Sequence, residues 1–175
     1  MASFRAAESI LSDGRTRAIG VCNFGEGHLE RLLAKTDVVP TVNQVELHPY
    51  FAQPGLRDTD DRLDVVTQAW SPIGGVKRYS PGNPDEAEDP LRDDVIQSLA
   101  DKHGKTPAQI ILRWHLEHGT SVIPKSVHKE RSAENFSIFD FRLTPEEVAA
   151  IDRLDTGERG GPDPDEVSTD FKISG

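Results

Sequence analysis

A single cysteine, Cys22, stands in 175 residues, and that scarcity excludes an internal disulfide framework and any thiolate-rich zinc site. Long apolar runs are missing too. None approaches the roughly 20 residues that a helix needs to cross a bilayer, and residues 1–15 carry no uninterrupted apolar core of the signal-peptide kind. The expectation is a soluble, cytoplasmic protein without membrane contact. Positive charge is short: 20 Lys and Arg stand against 30 Asp and Glu, a net charge of −10. Residues 85–94 and 152–175 carry nearly all of that excess, so the body is close to neutral. A duplex or an anionic membrane needs a basic field that this distribution does not supply. No nucleic-acid partner is expected, and the acidic runs read as solvated loop and tail. Aromatic residues make up 6% and the apolar fraction is 35%, yet Ile, Leu and Val recur throughout. One ordered domain fits that composition and length.

What is present is a repeated order of elements. Apolar residues at Phe4, Ala7, Ile10 and Leu11 have helical spacing, and Asp13-Gly14 ends it. Residues 18–22 form a short apolar run without polar alternation, as in a strand buried on both faces. Helical spacing returns over 28–34. The order repeats with a strand over 41–47 and a polar helix or turn over 54–63, and again with a strand over 65–70. A Gly/Pro/Asp-rich loop over 74–90 leads into helices expected at 91–102 and 107–117. Thr106-Pro107 is a capping hydroxyl before a first-turn proline. A fourth strand is read at 121–124, followed by a helix over 129–139. The last helix opens on Thr144-Pro145-Glu146-Glu147, a capping box.

Four successive strand–helix units imply a parallel sheet, because parallel neighbours need a crossover. That is compatible with a doubly wound sheet or with part of a barrel. No GxGxxG fingerprint follows any strand, which removes the main support for a dinucleotide-binding doubly wound fold. A complete (β/α)8 barrel takes roughly 200 residues at the least.

Parallel sheets bind ligands at the carboxyl ends of their strands. The segments there are Gly20-Val21-Cys22-Asn23-Phe24, Asn43-Gln44-Val45-Glu46-Leu47-His48-Pro49, Ala69-Trp70-Ser71-Pro72-Ile73-Gly74 and Ile123-Pro124-Lys125-Ser126-Val127, the last followed by Arg131, Glu134 and Asn135. With these four motifs in order, residues 4–167 closely resemble the aldo-keto reductases. The Gly157-Glu158-Arg159-Gly160-Gly161-Pro162-Asp163-Pro164-Asp165 segment resembles the bacterial diketogluconate-reductase type.

The resemblance implies an α/β fold, namely about four C-terminal βα units of a TIM-type (β/α)8 barrel over residues 1–156, with an acidic C-terminal loop or tail over 157–175. It implies NADP(H) as cofactor. Asn23 and Gln44 match residues that hydrogen-bond the nicotinamide carboxamide, and Trp70 matches the aromatic that stacks on the ring. Lys125, Ser126 and Arg131 match the holders of the adenosine 2′-phosphate, and Glu134 and Asn135 match the adenine contacts. Cys22, Ser71, Pro72, Ile73 and Val127 complete the cofactor motifs. A lysine point charge, a guanidinium fork and free helix-start amides also suit a phosphate on physical grounds. Two positions depart from the pattern: Cys22 stands where serine is usual, and Gly75 where many members have a phosphate-binding serine.

No catalytic residue is assigned. Members reduce a carbonyl with a tyrosine proton donor tuned by aspartate, lysine and histidine in the first four strands. Here only Tyr50 and Tyr79 are present, and the residues five positions before them, Val45 and Gly74, are not the aspartate that the motif requires. The sequence therefore reads as the cofactor-binding C-terminal half of an NADP-dependent carbonyl reductase. It would act on a small carbonyl substrate only with a complementary half-barrel, or two copies could close a homodimer through open sheet edges. The other readings are a non-catalytic NADP-binding module and an inactive truncated fragment.

Blander roles compete at several positions. Lys125, Ser126 and Arg131 suit a solvated helix start, Asn23 and Gln44 suit buried loop contacts, and Trp70 suits plain core. His115 and His118 beside Glu117 match no zinc-helix spacing, so no metal is assigned. His48 reads as a supporting or backbone-bonding histidine, and Cys22 as a small buried hydrophobe rather than a nucleophile.

Overall fold

A computed structural model describes residues 2–74 and 89–166. The chain runs α1 (Ala2–Ser12), β1 (Gly20–Cys22), α2 (Glu26–Leu33), β2 (Val42–Glu46), α3 (Pro54–Arg62) and β3 (Val66–Trp70). It continues through a 3-10 turn (Pro90–Arg92), α4 (Asp94–His103), α5 (Pro107–Glu117), β4 (Ser121–Val122), α6 (Lys129–Phe136) and α7 (Pro145–Asp152). The four strands form one parallel sheet in chain order. The fold is α/β, with the parallel strands that the motifs imply.

Local chemistry accounts for most element ends. Thr106 Oγ1 accepts from the Gln109 amide at 3.3 Å while the Gln109 side chain returns to the Thr106 amide at 3.0 Å, a closed capping box before Pro107. Thr144 and Glu147 do the same for α7. Gly20 is required by proximity, since a Cβ there would lie 2.6 Å from the Val42 carbonyl oxygen across the β1–β2 pairing.

Period 2 along the strands gives the sheet two unlike faces. Asn43, Val45, Thr67 and Ala69 are buried beneath the helices. The largest apolar cluster there joins Leu47 and Ala69 to Ile96, Leu99, Ile110, Ile111, Trp114 and Ile151 of α4, α5 and α7. Smaller clusters join Phe4, Ile19 and Leu32, and Leu29, Val45 and Leu56. On the other face Cys22, Gln44, Gln68 and Ser121 stand in one register row, and none of them is buried.

Six expectations need correction. β1 is buried on one face rather than both: Val21 packs under the helices while Gly20 and Cys22 are exposed. Cys22 is accordingly no buried hydrophobe. The helix expected at 91–102 is broken, because Asp93 leaves helical geometry to cap α4 by accepting from the Val95 amide at 2.9 Å. β4 ends at Val122 and α6 at Phe136, leaving Ile123 and Phe139 exposed. The stretch after residue 157 is not simply solvated, for Gly160 is buried against Glu46. Tyr79, Gly75 and most of the loop expected at 74–90 lie outside the described residues.

Candidate functional site

The carboxyl ends of β1, β2 and β3 meet at Asn23, Gln44 and Trp70. Asn23 takes a left-handed backbone, with φ of 57°, a conformation that asparagine tolerates better than most residues. Its amide continues the ladder to the Gln44 carbonyl at 2.8 Å. Its side-chain Oδ1 accepts from Trp70 Nε1 at 2.7 Å. Gln44 Nε2 donates to Gln68 Oε1 at 2.7 Å, and Gln68 Nε2 donates to Ser121 Oγ at 3.2 Å. A line of two side-chain amides and a hydroxyl thus crosses the sheet face that no described helix covers and fixes Gln44 from β3 and β4.

The loop after β3 is held from beneath. Ser71 has φ of 49°, and its carbonyl accepts from the Gly74 amide at 2.9 Å. Pro72 is buried, with its carbonyl accepting from His115 Nε2 at 2.8 Å, and Ile73 packs on the main apolar cluster. Burial pushes the His115 imidazole down to about 3, so it is neutral and donates from Nε2. His118 pairs with Asp152 at 2.8 Å. Cys22 is exposed at the end of β1, yet shielding by its neighbours pushes its thiol above the usual value, which suits an unreactive side chain.

The phosphate candidates lie beyond β4. Lys125 and Arg131 are exposed and make no side-chain hydrogen bond or ion pair with another described residue. Ser126 Oγ accepts from the His128 amide at 3.1 Å. Val127 is 76% exposed, and the first turn of α6 has no side-chain cap. Two unpaired cations beside free helix-start amides form an anion-compatible surface. Glu134 is committed elsewhere, since its carboxylate accepts from Thr106 Oγ1 and its carbonyl accepts from Gln109 Nε2 at 3.1 Å. Asn135 is half-buried beside it.

The motif residues therefore fall into two groups at one end of the sheet. The first three strands bring Asn23, Gln44 and Trp70 together, while the strand-four set occupies the opposite edge with α6. A cleft lined by Asn23, Phe24, Gly25, His28 and Arg159 contains none of the other candidates. Val45 and Leu56 form part of its wall, which puts it on the helix-covered side.

Three buried polar residues escaped the sequence analysis. Glu46 is wholly buried and accepts from the Gly160 amide at 2.7 Å and the Gly161 amide at 3.0 Å. His48 Nε2 lies 3.1 Å from it and Arg159 Nη1 3.7 Å. Burial alone would raise the Glu46 carboxyl, but His48 and the two glycine amides outweigh it and hold it below the usual range. Asn43 and Asp60, also fully buried, join beneath the Asn23 turn. The signal for Asn43 was an amide at a helix-covered strand position where Val45, two residues on, is apolar. Glu46 gave none, because apart from His48 the partners that hold its side chain, Gly160, Gly161 and Arg159, lie more than a hundred residues away.

A model described as the aldo/keto reductase family matches residues 2–156. Morphine 6-dehydrogenase of Pseudomonas putida is 54% identical over 168 residues, covering 95% of this chain and 57% of that protein. Methylglyoxal reductase DkgA of Salmonella typhimurium is 46% identical over 160 residues, covering 90% and 54%. Among solved structures, a Gox0644 mutant in complex with NADPH superposes with a TM-score of 0.83 at 40% identity, covering 94% of this chain and 56% of that one. MGS-M4, an aldo-keto reductase enzyme from a deep-sea metagenome library, gives 0.84 at 34% identity, covering 94% and 58%. The chain spans a little over half the length of each of these relatives.

Proposed function

The chain belongs to the aldo/keto reductase family, and from that premise we propose that it is the NADP(H)-holding half of a carbonyl reductase. The observation that carries this reading is the pairing of Asn23 with Trp70 at one end of the sheet, with the unpaired cations Lys125 and Arg131 at the same end beside the first turn of α6. A solved relative bound to NADPH supports it.

The residues fit the dinucleotide chemically. Asn23 and Gln44 offer amide groups that can orient a carboxamide, and the Trp70 indole offers a flat apolar face. Cys22, Ser71, Pro72 and Ile73 form the rim between them. Lys125 and Arg131, with Ser126 and Val127 between, suit the 2′-phosphate, where a guanidinium fork and a point charge are complementary. Asn135 is placed for the adenine, and Glu134 supports that position while bonded to Thr106. When bound, NADPH supplies a hydride for a carbonyl carbon.

Protonating the developing alkoxide needs a positioned donor. Tyr50 is committed, since its hydroxyl donates to Asp93 Oδ2 at 3.1 Å. The proposed donor therefore comes from a complementary half-barrel that also covers the open face of the sheet, and small carbonyl substrates bind only in that assembly. Residues 1–156 form the cofactor half, and residues 157–175 an acidic segment that begins by docking on Glu46. A cytoplasmic location suits the cofactor.

Calorimetric titration with NADPH and NADH tests the reading. NADPH should bind at least tenfold more tightly, about the worth of one or two charge-assisted contacts. Arg131→Ala should erase most of the difference. Equal affinities, or an Arg131→Ala chain whose NADPH affinity is unchanged, would refute it.

A further inference from the structure

Asn43 lies on the helix-covered face of β2, where nothing about core packing calls for an amide. It has no exposed surface, and a buried amide is costly unless its donors and acceptors are met. Here they are met in one direction. Asn43 Nδ2 donates to the Phe24 carbonyl at 2.9 Å, and Asn43 Oδ1 accepts from the Phe24 amide at 3.3 Å. The side chain thus engages Phe24 as a neighbouring strand would. Behind it, Nδ2 lies 3.3 Å from Asp60 Oδ1, and Asp60 Oδ2 accepts from Thr67 Oγ1 at 2.8 Å. Asp60 is wholly buried as well. Burial raises its carboxyl, against the pull of Thr67 and Asn43.

The clamp falls one residue beyond the left-handed turn. Asn23 is held on one side by the ladder bond to the Gln44 carbonyl and on the other by the clamp on Phe24. Between those fixed points its side chain is delivered to Trp70 Nε1 at 2.7 Å. Val45, two residues further on the same face, is apolar and equally buried. The amide and carboxylate therefore serve the turn rather than the core.

We propose that Asn43, oriented by Asp60 and Thr67, is a positioning residue that sets Asn23 for the nicotinamide end of the cofactor. This rests on the cofactor reading above. Its consequence is selective: losing the clamp weakens contacts to the nicotinamide but not those of Lys125 and Arg131 to the adenosine phosphate.

The test is calorimetric titration of the full chain and its variants with NADPH and with 2′-phospho-ADP-ribose, which lacks the nicotinamide. The wild-type chain should bind both. Asn43→Ser should weaken NADPH about tenfold, the scale of two lost hydrogen bonds, and leave the fragment within about twofold. Amide hydrogen exchange at Phe24, read without any ligand, should accelerate in the same variant. Thr67→Val, a near-isosteric change at one remove, should act in the same direction more weakly, and it carries the test if Asn43→Ser does not fold. Equal losses for the two ligands, or unchanged NADPH affinity with unchanged Phe24 exchange, would overturn the assignment while leaving the cofactor reading intact. A wild-type chain that binds neither ligand would overturn the cofactor reading and the assignment with it.

Discussion

At the scale of the residue, the side chains proposed to face the cofactor and the side chains that hold them differ in how far the sequence discloses them. Asn23, Gln44, Trp70 and Lys125 lie within or just beyond the strands and Arg131 on the helix after β4, and the four ordered motifs they belong to carried the family resemblance that singled them out. Asn43, Asp60 and Glu46 are fully buried, and their meaning lies in partners brought near only by folding. His115 is intermediate: its spacing with His118 raised the question of a metal, and the structure gives it instead a hydrogen bond to the Pro72 carbonyl. That burial has a thermodynamic sign. With the folded imidazole held down to about 3, the unfolded chain takes up the proton first as pH falls below about 6.5. Stability should therefore decline on acidification. Between pH 6.5 and 5 the loss attributable to this group is about 2 kcal/mol. Urea denaturation across that window should show the slope, and His115→Gln, which retains a donor for Pro72, should flatten it. A variant with the slope of the wild-type chain would assign the pH dependence to other groups.

At the scale of the element, the helices were more legible than the strands. Thr106-Pro107 and Thr144-Pro145 marked helix starts that the structure reproduces with closed capping boxes, because a cap is settled by residues three apart. Strand ends depend on neighbours. β4 contributes only Ser121–Val122, since pairing with β3 is all that defines it among the described residues, and Pro124 has no amide to extend it. The apolar run at β1 suggested cover on two sides that the structure supplies on one. Thr106 shows how a single cap reaches past its own helix: it closes the start of α5 and donates to Glu134 on α6. Thr106→Ala should cost about 1 to 2 kcal/mol, the range for a lost cap, seen as a lower urea midpoint with an unchanged slope. Thr106→Ser should recover most of it. A Thr106→Ala chain as stable as the wild type would mean that the box adds little to a helix already fixed by Trp114 and Ile111 in the core.

At the scale of the whole molecule, the sheet has two ends and two unlike faces. β1 and β4 each pair with one neighbour among the described residues, so each offers a row of backbone groups to a further strand. Among the described residues, the face carrying Gln44, Gln68 and Ser121 lacks the helical cover of its opposite, and Val66 at its base is 47% exposed. In relatives of whose length this chain spans a little over half, more chain is available to complete such a sheet. We propose a complementary half-barrel as that completion. Two copies joined edge to edge would satisfy the same strands, but they would bring no new proton donor. NADPH oxidation in the presence of methylglyoxal separates these cases most directly, measured for the purified chain alone and after mixing with the portion of a DkgA methylglyoxal reductase that the chain does not match. The account predicts turnover well below 1 per second alone, about the lower end of ordinary enzyme rates, and a rise of several orders of magnitude on mixing. A chain that by itself oxidises NADPH at roughly 1 per second or faster would contradict it.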